Sequence, residues 1–313
     1  MKTLIKKAAA WLTTLSVMGL VLMPSVSAKL SAEEKKPIVT VTTSFLEDMV
    51  QVLVGDLVQT ELIIPAGGDP HLYEPKPGDL KKIAEADLLL YHGIHFEGKM
   101  TDVLEENHGV AVTEAFKPEE IGEFEEDGEK VQDPHFWFDP QLYKKATQRA
   151  AKALIELLPE HEKEIQEALK KYEGELDQLE KESKELIAEI PEKSRYLVTP
   201  HDAFSYFGRT YGIQPVAPQG VSTDSEVSNK DIEDTAQFIV DRGIKAIFAE
   251  SSTNPKRMEK IQEVVRSKGA DVKVLMSEED QLFSDSLAPK GQPGDNYLDM
   301  VRHNVKTIVD HLK

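Results

Sequence analysis

The feature that most restricts how this chain can fold is one apolar stripe near its middle. Ile165, Leu169, Tyr172, Leu176, Leu179, Leu186 and Ile190, with Ser183 among them, recur in alternating steps of four and three. That spacing predicts a single amphipathic helix with one continuous buried face. Glu, Lys and Asp fill its other faces, and pairs such as Glu167–Lys171 lie at i,i+4, where opposite charges support a helix. Pro191 ends it. Residues 160–190 would span roughly 45 Å at 1.5 Å per residue, enough to cross a two-lobed protein end to end. A coiled-coil seam is the competing reading, but Gly174 and Ser183 interrupt it.

On both sides of this helix the pattern is the same. Ile38–Thr42 (IVTVT), Glu61–Ile64 and Asp87–Tyr91 (DLLLY) read as short buried strands, separated by helical stretches over Phe45–Val54 and Asp79–Ala86. Gln141–Leu158 reads as a further helix, stopped at Pro159. Beyond Pro191, strands are predicted at Tyr196–Thr199 (YLVT), Ile244–Ala249 (IKAIFA) and Val272–Met276. Helices are predicted over Ala203–Tyr211, Asn254–Ser267 and Asn296–Leu312. Alternation of this kind implies βαβ units around parallel sheets. The fold class is therefore α/β: two Rossmann-like lobes with mainly parallel sheets, joined by one long backbone helix. The boundaries are residues 29–159 for the N-terminal lobe, 160–190 for the linking helix and 191–313 for the C-terminal lobe. Lys117–Gln132, with seven acidic residues, reads as a solvated surface loop.

Residues 1–28 have a different character. Lys2, Lys6 and Lys7 precede an apolar run, Ala8–Met23, which ends in Pro24-Ser25-Val26-Ser27-Ala28. A basic start, an apolar core and small residues at Val26 and Ala28 form a secretory signal peptide cleaved after Ala28. The run is too short to span a bilayer. The product is expected to be exported, to a periplasm or else to the cell exterior in association with its surface. The chain contains no cysteine, so no thiol is available for a lipid anchor, a disulfide or a thiolate metal site. Any metal must be held by nitrogen and oxygen. The net charge of −19 argues against nucleic acid as a partner, because such binding needs a basic face.

Three of the nine histidines directly follow proline: Asp69-Pro70-His71, Asp133-Pro134-His135 and Thr199-Pro200-His201. Nine His and 17 Pro in 313 residues would give 9 × 17/313, about half of one, such pair by chance. Proline fixes φ and restricts the residue before it, so each loop is stiffened ahead of its imidazole and loses less entropy when a ligand orders it. Neutral imidazole is the commonest metal ligand near neutral pH. Three imidazoles leave a dication's charge uncompensated, so a carboxylate should join them. Asp285 in LFSDS and Glu250 at the end of IFAE are both candidates, and the residues alone do not choose between them. His92 and His95, at i,i+3 after a strand, read as structural, as do the surface histidines His108, His161, His303 and His311. Phe136 and Trp137, beside His135, read as packing residues that stiffen the loop.

The segments GGDPHLYEPKPGDL, ADLLLYHGIHFEGKM, DPHFWFDP, VTPHDAFSYFGRTYGI, QGVSTDSEVS, IFAESST and LFSDSL, taken in order, resemble the successive motifs of the TroA-like solute-binding proteins. These are the metal receptors of zinc and manganese ABC importers, and the resemblance covers nearly all of residues 38–313. It implies two α/β lobes held by a rigid helix, with one ion in the cleft between them. Carried onto this chain, it implies His71 and His135 as ligands from the first lobe and His201 and Asp285 from the second. Asp285 is thereby preferred to Glu250, which is left to support the cleft by hydrogen bonding.

The implied activity is capture of one Mn²⁺ or Zn²⁺ by a monomer and delivery to a membrane permease, with no catalysis. Three imidazoles suit zinc, and manganese receptors of this type often replace the third His. Many zinc receptors, however, carry a His-rich loop before the second ligand, and EEIGEFEEDGEKVQ contains none. The balance leans to manganese, with a zinc-specific receptor as the alternative. A His₃ metallohydrolase is the reading from another class, and neither an H-E-x-x-H nor a G-x-S-x-G signature supports it.

Overall fold

The IVTV run forms strand β1 (Ile38–Val41), in which Val39, Thr40 and Val41 are all fully buried. Burial on both faces is what a parallel strand covered by helices requires. β1 is followed by α1 (Ser44–Val54), β2 (Gln59–Leu62), α2 (Pro77–Glu85), β3 (Leu88–Tyr91), α3 (Thr101–Glu106) and β4 (Val110–Ala111). The four strands lie in the order β2-β1-β3-β4, all parallel. This computed structural model describes residues 35–126 and 128–313, and residues 36–313 form one compact unit. The expected signal peptide, residues 1–28, lies outside the described residues. Among the described residues no helix is long and apolar enough to cross a membrane.

The acidic stretch is more ordered than a surface loop. Glu123–Glu126 (β5) and Glu129–Gln132 (β6) pair as an antiparallel hairpin. Gly128, at φ +82°, serves its turn. Phe124 and Val131 sit opposite one another, an apolar cross-strand pair hidden among the glutamates.

α4 (Pro140–Leu157) begins with Pro140 in its first turn, and the Asp139 side chain accepts from the Gln141 and Leu142 amides. The predicted long helix is α5 (Glu162–Ile187), which packs against α1, α4, α6 and α9. Its buried positions are Ile165, Tyr172, Leu176, Leu179, Ser183 and Ile187. Here the sequence expectation needs one correction: Leu186 is 42% exposed and Ile187 takes its place. A strict 3.5-residue repeat drifts against a 3.6-residue helix, so by the last turn the buried face has moved on by one residue.

The second half runs β7 (Tyr196–Val198), α6 (Ser205–Tyr211), β8 (Gln214–Val216), α7 (Asn229–Arg242), β9 (Ala246–Phe248), α8 (Lys256–Ser267), β10 (Lys273–Leu275) and α9 (Tyr297–Leu312). β7 pairs in parallel with β8, and β9 with β10. One apolar cluster runs from Val39 through α4, α5 and the Phe204–Phe207 pair to Leu312, so the two halves share a core. Within it the rings of Tyr143 and Tyr297 stack at 3.6 Å and 6°. A second cluster, around Ala236, Ile247, Met258 and Ile261, belongs to the C-terminal half alone.

Candidate metal centre

Two of the three Pro-His turns are built the same way. Asp69 Oδ1 accepts from the His71 amide, and Asp133 Oδ1 accepts from the His135 amide, each at 3.0 Å. Each aspartate thus closes a short turn on its own backbone and fixes where the following imidazole points. In the third turn Thr199 Oγ1 donates to the His201 carbonyl at 3.0 Å. Asp285 arrives on the loop after β10. That loop runs beside the end of β9, with Leu282 opposite Glu250, the Ser251 amide donating to Leu282 O and the Leu282 amide donating to Ala249 O.

These segments bring His71, His135, His201 and Asp285 together. One ligand atom from each lies within 4.8 Å of all the others. His135, His201 and Asp285 are fully buried and His71 is 5% exposed. His135 Nε2 and His201 Nε2 are 3.4 Å apart. Asp285 Oδ1 lies 3.3 Å from the first and Oδ2 3.4 Å from the second. His71 Nε2 is buried without a hydrogen-bond partner.

The outer ring nitrogens explain why the inner ones are available. His135 Nδ1 lies 2.7 Å from Asp133 Oδ1, and His201 Nδ1 lies 2.5 Å from Glu250 Oε2. Each carboxylate takes the Nδ1–H, which leaves an Nε2 lone pair aimed inward. Lone pairs from three imidazoles and a carboxylate converging in a buried space repel one another unless a cation stands between them.

The electrostatics agree. Burial pushes the His71 imidazole down to about 3, so it is neutral at physiological pH. Burial also opposes charge on His135, but Asp133 and Asp285 outweigh it and hold the ring up at about 9. Burial likewise opposes charge on His201, and Glu250 and Asp285 raise it well above its ordinary value. Burial opposes the Asp285 charge, yet His201 and His135 hold its carboxyl well below the usual range. Without an ion, protons on His135 and His201 balance the carboxylates. A dication held by these four side chains would take over that role and release the protons.

The other candidates stand apart. His92 is fully buried with Nε2 2.7 Å from Thr43 Oγ1, packed among Phe45, Phe96, Phe136 and Trp137. His95 is exposed, at φ +56°. Neither joins the cluster. Trp137 stacks on Phe45 at 4.9 Å, sits 5.3 Å from the His135 ring and donates its indole N–H to Ser284 O at 2.8 Å. Glu250 supports His201, as the family pattern implies. Sequence reasoning missed Asp133 in the equivalent place for His135. The repeated Asp-Pro-His was the available signal. It also missed Thr223, whose hydroxyl donates to Asp69 Oδ2 at 2.7 Å from the other half of the chain.

Comparison with known proteins points the same way. Residues 39–311 match the family model described as zinc-uptake complex component A, periplasmic. The manganese-binding lipoprotein MntA of Bacillus subtilis is 38% identical over 291 residues, 92% of this chain and 93% of that protein. The zinc-binding protein TroA of Treponema pallidum is 36% identical over 286 residues, 90% of this chain and 91% of that one. A solved structure from work on the metal-binding specificity of TroA superposes with a TM-score of 0.87 at 54% identity, covering 89% of this chain and 100% of its own. With the family model spanning nearly the whole described chain, the protein belongs to the family of periplasmic zinc-uptake component A proteins.

Proposed function

We propose that this protein is the extracytoplasmic receptor of a metal ABC importer. It captures one Mn²⁺ or Zn²⁺ with His71, His135, His201 and Asp285 and delivers it to a membrane permease. The observation that carries this reading is the convergence of four buried donors within 4.8 Å, two of them with Nδ1 anchored by a carboxylate. The ion is cargo, held between an N-terminal lobe (29–159) and a C-terminal lobe (191–313) that a backbone helix (160–190) keeps in register. The protein works as an exported monomer.

Relatives named for manganese and for zinc match the chain at similar identity, 38% and 36%, so identity alone does not fix the ion. Three imidazoles and one carboxylate accept either ion, and for a given nitrogen and oxygen site zinc binds more tightly. The hairpin that precedes His135 has no histidine to collect zinc, which favours manganese as the ion carried in the cell. Titration of the metal-free protein with each ion, alone and in competition, tests the function. A single tight site is expected, lost on His71→Ala or Asp285→Ala. Weak or multiple binding that both variants retain would overturn it.

A further inference from the structure

The two ligands of the C-terminal half, His201 and Asp285, are joined behind the site by a continuous polar circuit. His201 Nδ1 contacts Glu250 Oε2 at 2.5 Å. Ser284 Oγ donates to the same Oε2 at 3.1 Å. Ser252 Oγ lies 3.0 Å from Ser284 Oγ and 3.1 Å from Asp285 Oδ2. The strand-like pairing of Glu250 with Leu282 sets the ESS and SDS segments side by side and so builds the circuit.

Counting protons exposes an asymmetry in this circuit. Ser284 has one hydroxyl proton, which Glu250 Oε2 or Ser252 Oγ can accept, and the charged carboxylate is the stronger acceptor. Ser252 also has one, and two acceptors compete for it: Ser284 Oγ and Asp285 Oδ2. Asp285 Oδ1 accepts from no hydroxyl and faces only His135 Nε2, at 3.3 Å. Both Asp285 oxygens face imidazole nitrogens of the site, so both are placed to bind an ion. An oxygen that accepts a hydrogen bond has less electron density to give a metal, so the Ser252 proton weakens Oδ2 as a ligand while leaving Oδ1 untouched.

Building on the receptor reading above, we propose that Ser252 is a specificity-determining positioning residue, its hydroxyl setting whether Asp285 gives the ion one oxygen or two. Zinc is satisfied by four donors. Manganese gains more from additional oxygen donors. When the Ser252 proton rests on Oδ2 the site offers three nitrogens and one strong oxygen. When it turns to Ser284, a second oxygen is free.

The two serines then act in opposite directions. Ser252→Ala frees Oδ2 and is expected to raise the ratio of Mn²⁺ to Zn²⁺ affinity about tenfold, the scale of effects transmitted through a ligand's hydrogen-bond partner. Ser284→Ala removes the competing acceptor, leaves the Ser252 proton on Oδ2 and shifts the ratio toward zinc. Ser252→Thr keeps the hydroxyl and restores the wild-type ratio. The ratio is read by competition titration of each metal-free protein with Mn²⁺ and Zn²⁺. X-ray absorption of the zinc-loaded Ser252→Ala variant should show one more oxygen around the ion than the Ser252→Thr variant. A ratio within twofold of wild type in both alanine variants, with unchanged absorption spectra, overturns the assignment of Ser252. A wild-type protein that takes up neither ion overturns the receptor reading as well.

Discussion

Trp137 donates its indole N–H to the carbonyl oxygen of Ser284 at 2.8 Å, so the residue two after His135 holds the residue just before Asp285. One hydrogen bond thus ties together the loops that carry two of the candidate ligands. Trp137→Phe keeps most of the ring and removes the donor. Metal affinity should fall about tenfold, measured by competition with a chromophoric chelator, while circular dichroism stays unchanged. Affinity equal to wild type would mean that the Asp285 loop is set by its other contacts, to the end of β9, to Asn304 and to Ser44.

Stripping the ion should separate ligands from scaffold. His71→Ala and Asp285→Ala remove donors and should cost orders of magnitude in affinity. His92→Ala opens a hole among Phe45, Phe96, Phe136 and Trp137. It should lower unfolding free energy by roughly 2–4 kcal/mol and leave affinity within a few-fold. An equal loss of affinity in the His92 variant would sink the ligand assignment.

Saturating ion should also stabilise the fold. Because the site exists only in the folded chain, an ion at about a thousandfold over its Kd adds about 4 kcal/mol. Thermal unfolding with and without a chelator reads this directly. A melting temperature insensitive to the ion in the wild type would contradict a preformed four-donor site.

Asp48 supplies a pH signature away from the metal. Its carboxylate accepts from the Tyr297 amide at the start of α9. Burial, helped by the charges of Asp295 and Glu47, raises it from 3.8 to about 6. A carboxyl raised in the folded state favours folding when protonated, so this contribution grows as pH falls from about 6 to about 4. Asp48→Asn should therefore stabilise the metal-free protein above pH 6, by up to about 3 kcal/mol. The gain should vanish near pH 4. Denaturant midpoints at pH 4.5 and 7.5 check it, and a gain equal at both would exclude the charge as its cause.

The drift of the α5 stripe gives a packing test. Leu176 is fully buried and Leu186 is 42% exposed. Leu176→Ala should cost roughly 2–5 kcal/mol, and Leu186→Ala within about 0.5 kcal/mol. Similar losses at both would restore the strict four-and-three register.

Much of this architecture was legible because local chemistry and tertiary position agree. IVTV and LLLY have no alternative to burial, and the long stripe gives α5, although the helix stops at Ile187, short of Pro191. Other elements were harder to read. Strand β8 contains Pro215, which argues against a strand and is tolerated here because, among the described residues, β8 pairs only with β7. Helix α7 carried its own signals, Ser228 and Asp231 as a capping box and Gly243 as a left-handed stop, but only a short apolar face, Ile232, Ala236 and Ile239. At the centre, proline marked the three imidazoles, while the choice of Asp285 came from family resemblance. The Ser252 circuit depends on pairing between segments some thirty residues apart, which no local pattern encodes.

The hydrogen bond from Thr223 to Asp69 carries a kinetic corollary. Asp69 spends one oxygen on the turn that aims His71 and the other on the opposite half of the chain. Prising the halves apart there would take one bond from the same carboxylate that shapes the turn, which would couple opening to slackening of His71. Escape of cargo from the idle receptor should then follow a single exponential, its dwell time governed by how long that clasp survives.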